Sequence, residues 1–76
     1  MPGRGSTSSV PPDVPGYERR IILELTRIGS SQKVTAIDED TGTEVSFISP
    51  ASAARADIER LARSKLDYVI KKNLAG

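Results

Sequence analysis

Seventy-six residues carrying eleven Lys+Arg, ten Asp+Glu, no histidine and no cysteine make one small domain of net charge +1. The absent residue types exclude disulfide staples, thiol nucleophiles, thiolate or imidazole metal sites and imidazole acid–base catalysis. A chain this short buries only about 60% of its unfolded surface, so it gains from any partner that buries more.

Residues 1–16, MPGRGSTSSVPPDVPG, hold four Pro, three Gly, three Ser and one Thr. Val10 and Val14 are their only aliphatic side chains, too little apolar area to offset an ordering cost of about 1–2 kcal/mol per residue. This segment reads as a disordered tail, and 17–76 as the domain. No apolar h-region follows Arg4, and the longest strongly apolar run, Ile21-Ile22-Leu23, falls far short of the roughly 18–20 residues of a membrane span. The expectation is a cytoplasmic protein with no membrane partner.

From Tyr17 the composition changes. Residues 20–28, RIILELTRI, alternate with period two and predict a long strand, with Ile21, Leu23 and Leu25 on one face and Ile22, Glu24, Thr26 and Ile28 on the other. Gly29-Ser30-Ser31-Gln32 supplies turn chemistry, and a second strand follows over 33–37 with Val34 and Ala36 inward. Asp40-Thr41-Gly42-Thr43 is the strongest local signal, a tight hairpin with glycine where φ must be positive. Glu44-Val45-Ser46-Phe47-Ile48 forms the third strand.

Ser49-Pro50 marks a change of period. Ser49 is a good N-cap and Pro50 suits the first helical position, so a helix is expected over about 50–73. Advancing 100° per residue from Ile58 places Ala54, Leu61, Ala62, Val69 and the stem of Lys65 within about 60°, with Leu66 just beyond. That stripe should face the sheet. Lys71 and Lys72 complement the carboxyl-terminal dipole, and Gly76 lies past the stop. The expected fold class is α+β: a three-stranded antiparallel β-meander followed by one long C-terminal helix packed on one sheet face, β-β-β-α.

A four-residue loop at 29–32 pairs Leu25 with Ala36, and a turn centred on Thr41 and Gly42 pairs Ala36 with Phe47. The helix would then settle on a Leu25-Ala36-Phe47 row, and Asp38 would end the hairpin near solvent. The opposite face collects Ile22, Ile28, Ile37 and Ile48 among polar neighbours. A sheet face left to water is ordinarily Thr, Lys and Glu, because fully burying one Ile is worth roughly 1.5–3 kcal/mol. These four isoleucines are the candidate interface, and the expected role is a non-catalytic interaction module, a homodimer or accessory subunit.

The charges are segregated: residues 17–33 sum to +2, residues 38–44 to −4 and the helix to +3. Arg19, Arg20, Arg27 and Lys33 are the candidate contacts of an alternative, nucleic-acid-binding reading; the acidic hairpin and the lack of an aromatic platform weigh against it. Asp38, Glu39, Asp40 and Glu44 lack the spacing of a calcium loop and fit a solvated hairpin. On the helix, Arg55 with Glu59, Asp57 with Arg60 and Arg63 with Asp67 read as pairs on a solvated polar face. No motif arranges Ser52, Ser64 or Lys65 as a nucleophile with its base, so neither catalysis, a cofactor nor a small-molecule substrate is expected.

Arg27-Ile28-Gly29, Lys33-Val34-Thr35-Ala36-Ile37-Asp38, Thr41-Gly42-Thr43-Glu44-Val45, Pro50-Ala51-Ser52-Ala53 and Lys65-Leu66-Asp67-Tyr68-Val69 together carry a resemblance. Over residues 17–72 the chain resembles a short family of uncharacterised alphaproteobacterial proteins, a domain of unknown function of about sixty residues. Some members carry the label serine hydroxymethyltransferase. That label does not suit this chain, since so few residues cannot build a pyridoxal-phosphate enzyme and no Schiff-base motif surrounds Lys33, Lys65, Lys71 or Lys72.

Overall fold

The computed structural model describes residues 14–75. The disordered tail expected over 1–16 and the stop at Gly76 therefore fall largely outside the described residues. The last three tail residues, 14–16, form a turn in which Tyr17 N–H donates to the Val14 carbonyl at 3.0 Å. The order is β1 (Ile21–Ile28), β2 (Ser31–Asp38), β3 (Glu44–Pro50) and α1 (Arg55–Ala75), with an antiparallel sheet ordered β1-β2-β3. This is the expected β-β-β-α meander. No helix among the described residues is long and apolar enough to cross a membrane.

Both hairpins are two residues out of the expected register. Ile28 pairs with Ser31, so the first turn is the two-residue loop Gly29-Ser30. Gly29 has φ 61° and no non-glycine residue among the described residues has positive φ, the pattern of a II′ turn, whose twist suits the flanking strands. In the second hairpin Ala36 pairs with Val45 rather than Phe47. A slip of two preserves the parity of every side chain, so the faces come out as expected while the rows change. The inner rows are Leu23-Ala36-Val45 and Leu25-Val34-Phe47.

The helix begins at Arg55, five residues later than Ser49-Pro50 suggests. Ser49 and Pro50 are still extended, and Ala51, in the turn that follows, donates its N–H to the Ser30 carbonyl at 2.9 Å. Ser49 Oγ accepts from Gln32 Nε2 at 3.2 Å instead of capping a helix. The bonds flanking the ladder also show which edge each residue faces: Ala51 to Ser30 and Asp38 to Thr43 continue the register, so odd residues of β3 bond to even residues of β2. Pro50, an even residue, therefore lies where its missing N–H would point off the edge, the position a strand tolerates. A turn closed by Ala53 N–H on the Pro50 carbonyl leads to Ala54, whose carbonyl accepts the first helical bonds from Asp57 and Ile58.

The buried stripe of α1 is rotated from the expected one. Ile58, Ala62, Leu66 and Ile70 are buried, whereas Ala54 and Leu61 are exposed and Val69 is half-buried. Relative to Ile58 the buried residues fall at about 0°, 40°, 80° and 120°, a slanted row of fourth neighbours. Ala62 and Ala36, both fully buried, let helix and sheet approach closely, with Ile21, Leu23, Val45 and Phe47 packed around them. The helix lies over β2 and β3 and meets β1 chiefly through Ile21 and Leu23. Enlarging that close contact with Ala36→Leu should cost about 1–3 kcal/mol by overpacking, read as a lower urea midpoint at unchanged slope.

Candidate functional site

Two surfaces hold the residues with chemical character: an ionic cluster where the amino-terminal segment meets the helix, and the sheet face that the helix leaves bare.

The cluster begins with Asp38, the last residue of β2, whose side chain is 0% exposed. Oδ1 accepts from the backbone N–H groups of Asp40 (2.8 Å) and Thr41 (3.1 Å), folding the β2–β3 loop back on itself. Oδ2 accepts from Arg19 Nη1 at 3.2 Å. Arg19 also donates through Nε (3.3 Å) and Nη2 (3.2 Å) to Asp67 Oδ1 on the helix, and Lys71 Nζ lies 3.1 Å from Asp67 Oδ2. One turn earlier Arg63 Nε donates to Glu59 Oε2 at 2.9 Å. Its Nη1 reaches the carbonyl oxygens of Gly16 (2.9 Å), Tyr17 (3.1 Å) and Arg19. Three cations, Arg19, Arg63 and Lys71, thus face three anions, Asp38, Glu59 and Asp67, and the cluster is neutral.

Three expectations are corrected here. Asp38 is buried at its hairpin end because residues 14–20 fold over it and Arg19 brings the compensating charge. Arg63 and Asp67 are buried rather than solvated, and they bond to the amino-terminal segment rather than to each other. Arg63 takes Glu59 at four residues, the partner assigned to Arg55. The i,i+4 spacing of Arg63 and Asp67 beside the apolar stripe was visible in the sequence. Missing was any sign that a segment more than forty residues away would cover that flank.

Chemically the cluster is a lock. Each guanidinium and carboxylate meets a partner of opposite sign or a backbone group, which is how a buried charge is kept. Among the described residues no group of three or more Asp and Glu side chains is arranged to hold a metal ion.

The four basic residues of the nucleic-acid alternative are not gathered on one surface. Arg19 is held between Asp38 and Asp67. Arg20 pairs with Asp40, and that hydrogen bond, followed by the charges of Asp40 and Glu39, raises its pKa above the ordinary value. Arg27 Nε donates to the Gly29 carbonyl at 2.6 Å. Lys33 is exposed on the bare sheet face, on the other side from Arg19 and Arg27.

On that bare face the cross-strand rows are Ile22-Ile37-Glu44, Glu24-Thr35-Ser46, Thr26-Lys33-Ile48 and Ile28-Ser31-Pro50. Ile22 is 45%, Ile28 56% and Ile48 62% exposed, and Ile37 is half-buried beside Ile22. Thr35 and Ser46 hydroxyls share a hydrogen bond at 3.3 Å across the middle. Ile22 and Ile37 are direct neighbours, while Ile28 and Ile48 each stand in a separate row.

A family model for a domain of unknown function, DUF6898, matches residues 18–73, and the chain belongs to that family. No curated protein and no solved structure matches it.

Substituting Asp38 by Ala should destabilise the fold by about 3 kcal/mol, because the loop loses its acceptor and Arg19 loses one of two anions. Gly16, at φ 77°, has room for no side chain: a Cβ would lie 2.7 Å from the Arg63 carbonyl oxygen. Gly16→Ala should therefore cost about 1–3 kcal/mol, and proteolysis between residues 14 and 19 should accelerate before the sheet melts.

Proposed function

We propose that this member of the family is a non-catalytic protein-interaction module that works by self-association, with the sheet as the associating element and the face opposite the helix as its apolar surface. The proposed form is a homodimer; an accessory subunit would use the same surface. The carrying observation is the exposure of Ile22, Ile28 and Ile48 on a face that no element among the described residues covers. Exposed isoleucines are individually ordinary. Here all three occur on one face of one small sheet, with Ile37 adjoining, while the helix-covered face uses Val34 and Ala36 as its fully buried pair.

Energetics support the reading. Burying one such side chain contributes roughly 1.5–3 kcal/mol, and a domain with one short apolar stripe on one helix has little stability to spare. Chemistry at the ionic cluster is already consumed in holding the fold. The resemblance of the sequence to an alphaproteobacterial family and its cysteine-free composition suit a bacterial cytoplasmic protein, and we place it there.

Sedimentation velocity between 1 and several hundred micromolar (about the range of modest interfaces) should show a concentration-dependent dimer. Ile22→Thr with Ile37→Thr should shift that equilibrium toward monomer by tenfold or more while leaving the monomer's denaturant midpoint nearly unchanged. A strict monomer at the highest concentration removes the proposal.

A further inference from the structure

We propose that two copies of this chain join along the free edges of their β1 strands, antiparallel about a two-fold axis through Leu25, to make one continuous six-stranded sheet. This rests on the self-association just described and specifies which part of the sheet carries it.

The hydrogen-bond phase identifies the free groups. Glu39 N–H donates to the Arg20 carbonyl, so even residues of β1 bond to β2. The N–H and C=O groups of Leu23, Leu25 and Arg27 therefore point off the edge, and no backbone or side-chain hydrogen bond among the described residues engages them. The strand is eight residues long, contains no proline and pairs with β2 without a bulge. Such an edge is a template for another strand. The opposite edge differs, because β3 ends in Pro50. The helix lies over β2 and β3, so the inner side of β1 is also open from Leu25 onward: Leu25 is 38% exposed and every residue from Glu24 to Ile28 is exposed.

The sequence of β1 then selects the register. Pairing Leu25 with the second copy's Leu25 sets Ile22 against Ile28, Leu23 against Arg27 and Glu24 against Thr26 of the other chain. On the bare face this joins Ile37, Ile22 and the second copy's Ile28 into one unbroken row, and symmetry makes the row twice. Isoleucines that stand apart in one copy become neighbours in two. On the inner face the two Leu25 side chains meet, with Val34 next to each. Shifting the axis to Glu24 sets two like charges directly opposite, which is unfavourable. Shifting it to Thr26 sets Ile28 against Glu24 and carries Ile22 past the strand end. Of these three registers, the Leu25 axis alone keeps the isoleucines paired with one another and the Glu24 side chains apart.

The chain has no native cysteine, so introduced thiols report the register directly. Under mild oxidation Leu25→Cys should form a disulfide dimer, its paired Cα atoms falling within the roughly 4.4–6.8 Å a disulfide spans. Glu24→Cys and Thr26→Cys should each stay uncrosslinked alone and crosslink when mixed. Arg27→Pro removes an outward N–H without touching the β2 ladder, and should weaken dimerisation roughly tenfold or more with far-ultraviolet circular dichroism unchanged. A dimer that persists in Arg27→Pro, with no crosslinking in the 24/26 mixture, overturns the edge pairing while leaving self-association through the face in place. A wild-type chain that remains monomeric removes both.

Discussion

A single carboxylate with no solvent contact organises this fold. Asp38 closes β2, and two otherwise independent segments converge on it: the β2–β3 loop through two backbone N–H groups, and the segment before β1 through the Arg19 guanidinium, which also holds the helix through Asp67. Removing a charge from water is costly unless it is paired and hydrogen-bonded. The surrounding architecture reads as the means of meeting that requirement. Arg19 must be near, so the chain before β1 turns back across the sheet end; Arg63 then holds that turn by three carbonyl oxygens. The segregated charge of the sequence is resolved in the same place, where the acidic hairpin meets the basic segment preceding β1.

What was legible in the sequence followed from periodicity. Alternation in 20–28 and 44–48 and the change of period near residue 50 are local properties, and they specify element type and facing. Register is a different matter. Because side chains repeat every two residues, a slip of two leaves inward and outward sets intact, and nothing in the alternation separates Leu25-Ala36 from Leu23-Ala36. The decision lies in turn geometry: Gly29 takes positive φ in a two-residue loop, which Ser31 and Gln32, both turn-compatible, disguise. Pro50 misleads for an instructive reason. The absent N–H that suits a helix start suits the outer edge of a terminal strand equally well.

The open face was readable from parity, and the structure leaves Ile22, Ile28 and Ile48 exposed on it. The ionic lock was not, because its members come from residues 19, 38, 59, 63, 67 and 71, and only contact in space shows which pairs form. The rotation of the helix follows from the same contact. With Arg63 and Asp67 drawn under the amino-terminal segment, the buried arc includes Leu66 and Ile70 and leaves Leu61 outside.

The lock also bears on the order in which the chain folds. Both hairpins and the helix are closed by contacts near in sequence, and such contacts form quickly. Arg19 to Asp67 spans 48 residues, and Gly16 to Arg63 spans 47. Until that distant closure is made, Arg63 and Asp67 on the helix lack the partners that residues 16–19 supply. The meander and helix are consequently not an autonomous unit that the amino-terminal segment merely decorates. Because these contacts need the helix, a chain emerging from synthesis can complete them only after Asp67 has been made, although Arg19 left the ribosome first.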